Sequence, residues 1–277
     1  MLKGLTKAGL GQLVSDEHLI ELASAFKFEA VDLEAFTFIE QYGLEKAQYL
    51  LKKHNVQLGS INLSVEWRGD QQTFLQGIAK LAEQAAAAAA LGCTSCCTYI
   101  LPSTDAKAAA FMATAIHRLR ICAQILGAYG IRLGLEFVGT HHLRTHWANP
   151  FIWTLDETLA LIEAIDEKNV GLLLDSYHCH TNELNMEEIK KLKAEQIVHV
   201  HINDAPNVPV SEVVDNERLY PGEGVIDLVG FIKALQEIGY KGIVAQEVLA
   251  DNLSQSAEEL ALRSKQGFDK VFALAKA

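Results

Sequence analysis

Eight short runs of β-branched and apolar residues, each followed by a segment of helical periodicity, alternate along the whole chain. Such alternation marks βα units around a parallel sheet, because each strand is buried on both faces and each crossover needs an amphipathic helix. Strands are expected near 4–9, 30–36, 56–65, 94–101, 131–138, 170–176, 197–203 and 243–249. Ser15 reads as the N-cap of the first helix, with Asp16 and Glu17 favourable in its first turn. Further helices are expected over 44–54, 72–91, 106–129, 155–165, 187–193, 228–238 and 257–275, with Gly92 and Gly130 suited to the left-handed position that ends a helix. The alanine run 85–90 reads as a strong helix former that lets a helix lie close to a sheet. At 277 residues the chain is near the roughly 250 typical of a (β/α)8 TIM barrel, and no Pro/Gly/Ser-rich linker divides it. The expected fold is α/β, a single (β/α)8 barrel domain over 1–277.

Composition narrows the partners. Hydrophobic residues make up 49%, enough for a large core, but no apolar run reaches the ~20 residues that span a bilayer. The first residues lack the charged region, apolar stretch and cleavage site of a signal peptide, and five cysteines do not read as a disulfide framework. A cytoplasmic location is expected. The formal net charge is -11, and 24 Lys and Arg are scattered among 35 Asp and Glu, so neither nucleic acid nor a membrane is an expected partner.

Two long loops, 139–153 and 204–224, follow the fifth and seventh strands at their C-terminal ends, the face on which barrel enzymes build their sites. Strands five to eight each end with a metal-capable side chain among apolar residues: Glu136 in LGLEFVG, Asp175 in LLLDSYHCH, His201 in VHVHIND and Glu247 in VAQEVLA. One such carboxylate alone reads as often as a hydrogen-bonded structural residue as a ligand, and a lone strand histidine more often as a satisfied core residue; four in consecutive strands near one face read as a shared site. Buried carboxylates need a positive partner, and no Lys or Arg lies within the flanking apolar residues, so a divalent metal is inferred. Three carboxylates and an imidazole suit Mn2+, Mg2+, Co2+ or Zn2+.

His199 and His201 are two apart and point to the same side of their strand, with His201 nearer the C-terminal end and the better ligand. His178 and His180 are candidate second contacts. His178 and Arg218 would orient substrate oxygens, Arg218 reading equally as a solvated loop charge. Glu34 and Asn62, at the ends of strands two and three, suit hydroxyl recognition. Trp147 and Trp153 would either cover a sugar ring or anchor their loop, and Lys7 is a weaker candidate. The Cys93-x-x-Cys96 pair has no second pair to complete a zinc site and reads as core.

Through EFVG at 136–139, NVGLLLDSYHCH at 169–180, HINDAP at 201–206 and DNERLYPGEGVIDL at 215–228, the sequence resembles the xylose isomerase-like TIM-barrel superfamily of sugar isomerases and epimerases, and within it the inosose isomerases. The resemblance implies that Glu136, Asp175, His201 and Glu247 bind one metal. It also implies that Glu136 and Glu247 are the catalytic pair, moving a proton next to a carbonyl through a metal-stabilised enediolate. The substrate would be a keto-sugar, sugar phosphate or inosose, with a hydride shift as the other route. The loop THHLRTHWANPFIWT is long for this pattern and is expected to reshape the substrate pocket.

Two other classes remain. An endonuclease IV-like nuclease needs a three-metal cluster, whereas the third and fourth strand ends offer Asn62 and Tyr99 and the later segment reads Asp215-Asn216-Glu217-Arg218. A non-catalytic metal- and sugar-binding barrel would have no use for two bases at one metal. A homo-oligomer is compatible with the sequence, and no residue specifies it.

Overall fold

A computed structural model describes residues 1–251 and 253–276. Its main sheet is wholly parallel and is built from β1 (Leu2–Leu5), β2 (Ala30–Val31), β3 (Gln57–Leu58), β4 (Ile61–Asn62), β5 (Ser95–Ile100), β6 (Arg132–Phe137), β7 (Val170–Asp175), β8 (Ile197–Ile202) and β9 (Ile243–Gln246). The order is β3-β2-β1-β9-β8-β7-β6-β5-β4. Its two ends, β3 and β4, are separated in the chain only by Gly59 and Ser60, so this one interrupted strand pairs with β2 through its first half and with β5 through its second. That pairing closes the sheet into a barrel of eight strand positions. At the interruption the backbone runs close to Asp32: a Cβ on Gly59 would lie 2.3 Å from Asp32 Oδ1.

Helices cover the outside: α1 (Asp16–Ala25), α2 (Ala35–Tyr42), α3 (Leu44–His54), α4 (Gln71–Ala90), α5 (Ala108–Ala128), α6 (Leu155–Ile165), α7 (Ser176–Thr181), α8 (Met186–Lys190), α9 (Leu228–Glu237) and α10 (Ala257–Lys276). Ser15 caps α1 by accepting the His18 N–H at 3.1 Å, and Asp70 caps α4 by accepting that of Thr73 at 2.7 Å. Gly92 and Gly130 take φ of +77° and +73° behind α4 and α5, as their positions predicted. Leu172, Leu174, Val200 and Ile202 are completely buried between the sheet and these helices. Cys93 and Cys96 are buried core residues.

Several segments differ from the sequence expectation: β1 covers Leu2–Leu5 where 4–9 was expected, and α8 covers Met186–Lys190 where 187–193 was expected. Strand two is only two residues long, and the chain turns into α2 where a strand to Phe36 was expected. After β7 the chain enters α7 at once, because the Asp175 side chain accepts the Tyr177 N–H at 2.7 Å and caps it. The loop 139–153 contains a helical turn, His141–Arg144, and an antiparallel pairing of Asn149–Pro150 with Ser103–Thr104. In the loop 204–224, Asp204 accepts the N–H groups of Ala205, Gly222 and Ile226 at 2.9, 3.0 and 2.9 Å. Among the described residues no helix is long and apolar enough to cross a membrane.

Candidate metal centre and cavity

Glu136 is the penultimate residue of β6, Asp175 the last of β7, His201 the penultimate of β8, and Glu247 follows β9. Neighbouring parallel strands place these positions side by side, with His201 and Asp175 in direct register. Each offers a donor atom, and the four atoms lie within 4.8 Å of one another. His201 Nδ1 is 3.4 Å from Glu247 Oε2 and 4.0 Å from Asp175 Oδ2. Among the described residues, Glu136 Oε1 and His201 Nδ1 are buried with no hydrogen-bond partner. Buried polar atoms are nearly always satisfied, so two unpartnered ones beside one cluster of carboxylates fit the ligation of a cation. The all-oxygen-and-imidazole donor set fits a divalent one.

A cation also comes from within the chain, and the sequence reading missed it. Arg218, buried and 43 residues from Asp175, donates through Nη1 to Asp175 Oδ2 at 2.9 Å and to Glu247 Oε2 at 2.8 Å. Its Nη2 donates to Asp215 Oδ1 at 3.0 Å and lies 3.3 Å from His178 Nε2. Arg218 is therefore no solvated loop charge; its guanidinium is engaged by Asp175, Glu247 and Asp215. One guanidinium still faces Asp175, Glu247 and Asp215, with Glu136 close by, so the cluster keeps negative charge to spare. His178 is buried, accepts the Gly139 N–H through Nδ1 at 3.3 Å, and has Nε2 3.9 Å from Glu136 Oε1. Asn203, also buried and unremarked in the sequence, donates to both oxygens of Asp175 at 3.0 and 3.2 Å and to the Glu247 carbonyl at 3.1 Å.

The electrostatics separate the two glutamates. Burial, reinforced by the charges of Glu247 and Asp175, pushes Glu136 well above the usual carboxylate range. Burial acts on Glu247 in the same sense, but the charges of His201 and Arg218 outweigh it and hold that carboxyl far below the range. For His201, burial is overcome by Glu247 and Asp32, and the imidazole is raised well above its ordinary value. Burial lowers His178.

A cavity of about 310 Å³ opens on this cluster and is lined by Glu136, His201 and Glu247. Glu34 and Asn62 also line it, from the opposite arc of the barrel, and Glu34 Oε1 accepts both the backbone and side-chain N–H of Asn62, at 3.1 and 2.9 Å. Lys7 lines it while paired with Asp16 at 2.5 Å. Arg68, not singled out in the sequence, lines it with its guanidinium against the rings of Trp67 and Tyr99. The structure does not bring Trp147 or Trp153 to this cavity. Trp147 packs on His146 with ring centroids 4.3 Å apart, and Trp153 lies under Arg144. His180 faces a separate pocket beside Glu183 and Asp227. Asp32 is the other omission, though AVDLEAF carries the same sign, an acid in an apolar run, that marked Glu136 and Asp175.

The model of the xylose isomerase-like TIM-barrel family matches residues 20–270. An inosose isomerase of Bacillus subtilis is 30% identical over 142 residues, which cover 51% of this chain and 49% of the relative. The match thus spans about half the length of that relative. A solved structure of a xylose isomerase domain protein from Alicyclobacillus acidocaldarius aligns over 100% of both chains with a TM-score of 0.92 and 32% identity. The IolI protein, solved with a zinc atom bound, has the same fold, with a TM-score of 0.83 and 21% identity over 99% of this chain and 98% of its own. On the family match and the full-length likeness, the chain belongs to the xylose isomerase-like TIM-barrel family.

Proposed function

We propose that this protein is a divalent-metal-dependent isomerase or epimerase of small keto-sugars or inososes that moves a proton at the carbon next to a carbonyl. The observation that carries this reading is the convergence of Glu136, Asp175, His201 and Glu247 within 4.8 Å, three of them lining a cavity of about 310 Å³. That volume lies at the small end of ligand sites. The likeness to an inosose isomerase supports the substrate class, and the zinc bound by the IolI protein, which shares this fold, supports a metal-dependent reading. Glu136, Asp175, His201 and Glu247 would hold the metal, with Mn2+, Mg2+, Co2+ and Zn2+ as candidates. A divalent cation there supplies Lewis-acid polarisation of a carbonyl and its neighbouring hydroxyl.

The chain's own groups do the rest. Glu136 on β6 and Glu247 just after β9 stand at the two ends of the four-strand arc that carries the cluster, and so approach a ligand in the cavity from different directions. One takes the proton from carbon and the other returns it. Arg218 and Asn203 fix Asp175 and Glu247, while His178 flanks Glu136. Glu34, Asn62, Lys7 and Arg68 offer hydrogen bonds to substrate hydroxyls.

The test is proton NMR in D2O with Mn2+ and a panel of inosose and ketohexoses. Deuterium should enter product at the carbon next to the carbonyl, and Glu136→Gln or Glu247→Gln should slow this about 10²–10⁴-fold. Product without deuterium would mean a hydride shift, and no turnover of any ketose or inosose with the metal-loaded protein would contradict the reading.

A further inference from the structure

Beneath the four-residue cluster lies a second polar group inside the barrel. His199 and His201 both face inward from β8, with ring centroids 5.2 Å apart and planes at 84°. Asp32, just past β2, reaches them: Oδ2 is 2.8 Å from His199 Nε2 and 3.5 Å from His201 Nε2. The other nitrogen of His201, Nδ1, faces Glu247 and Asp175 and is one of the buried orphans.

We propose that Asp32 is a positioning residue for the cation centre: its carboxylate keeps the His201 proton on Nε2 and so presents the Nδ1 lone pair to the metal. This rests on the metal reading given above. A neutral imidazole carries one N–H, and the partner of one nitrogen decides which atom is left as the ligand. Ligating histidines generally donate their other N–H to a carboxylate, carbonyl or water, which fixes the ring and raises its basicity. Here the carboxylate is itself anchored by His199, and it fits only because residue 59 has no side chain, since a Cβ there would lie 2.3 Å from Asp32 Oδ1. Asp32, His199 and His201 also offer donors within 4.8 Å. Both Nε2 atoms already face the same Oδ2, however, His199 hydrogen-bonded to it at 2.8 Å and His201 3.5 Å from it, so a carboxylate shared by two imidazoles describes them better than a second metal site.

The experiment is titration of the metal-free protein with Co2+, followed by visible absorption, for the parent, Asp32→Asn and Gly59→Ala, with circular dichroism as the check on folding. Both variants should keep one equivalent of Co2+ and weaken its binding about 10–100-fold, with an altered visible spectrum. Gly59→Ala displaces the carboxylate without removing its charge, and it decides the matter if Asp32→Asn does not fold. Folded variants that bind Co2+ within about twofold of the parent with the parent's spectrum would overturn the proposal. Two equivalents in the parent and one in Asp32→Asn would also overturn it, making Asp32 a direct ligand. A parent that binds no Co2+ overturns the metal reading along with it, whereas parent binding with unaffected variants overturns the Asp32 role alone.

Discussion

Arg218 shows how a single residue changes the account of the site. Read in sequence, the four strand-end residues had no cation nearby; folded, one guanidinium bridges Asp175 and Glu247. Removing one partner of a buried ion pair leaves the other uncompensated, so Arg218→Ala is expected to destabilise the metal-free protein by about 3–5 kcal/mol. Urea unfolding measures this, and a loss below about 1 kcal/mol would show that Arg218 does not balance the cluster. Added divalent metal should recover part of the loss. His201 gives a pH prediction. Its imidazole is raised because its neighbours are carboxylates, so at neutral pH the metal-free ring holds a proton that a cation must expel. Glu136 is raised as well, by burial and by the charges of Glu247 and Asp175, so a cation competes with a proton there in the same sense. Metal affinity should therefore tighten as pH rises, by about tenfold per pH unit for each proton released, and level off above the raised values. The proton's own contribution to metal-free stability runs the other way, present at low pH and lost as pH rises through the raised His201 value. Isothermal titration across pH 5.5–8.5 checks the sign; affinity independent of pH would contradict it.

At the scale of elements, legibility followed local physics. The helix 155–165 was read to the residue because Thr154 and Glu157 form a capping box that local sequence fully specifies. Strand two was overextended because Val31-Asp32-Leu33-Glu34-Ala35 alternates apolar and acidic residues with the period of a strand, whereas the chain turns into α2 at Ala35. Asp175 read as a strand end, but its cap on α7 needs only a neighbouring N–H and left no periodicity to see. The four strand-end residues stood out as acids or imidazole in apolar runs. Asp32 carries the same sign, but its partner His199 lies 167 residues away, as Asp175 lies 43 from Arg218, and only closure of the barrel brings these pairs together. The loop 204–224 depends on one buried carboxylate. Asp204→Ala removes three backbone hydrogen bonds to a charged acceptor and should cost about 3 kcal/mol or more. Because this loop delivers Arg218, metal affinity should fall as well. Unchanged urea stability together with unchanged affinity would show that Asp204 does not hold the loop.

The whole molecule turns a general architecture into one site through its strand order. The arc β6-β7-β8-β9 supplies Glu136, Asp175, His201 and Glu247, and the opposite arc, through the residues after β2 and in β4, supplies Glu34 and Asn62 across the cavity. Glu136, Asp175 and Glu247, together with Asp32 and Glu34, make the barrel mouth acidic, which agrees with a net charge of -11 and favours a cation at the centre. The most direct test is the metal content per chain after equilibration with Mn2+, Co2+ or Zn2+ and removal of free ion, with the His201→Ala variant alongside. The account predicts one tightly held equivalent in the parent and none in the variant. No bound metal in the parent, or one equivalent retained by His201→Ala, would contradict it.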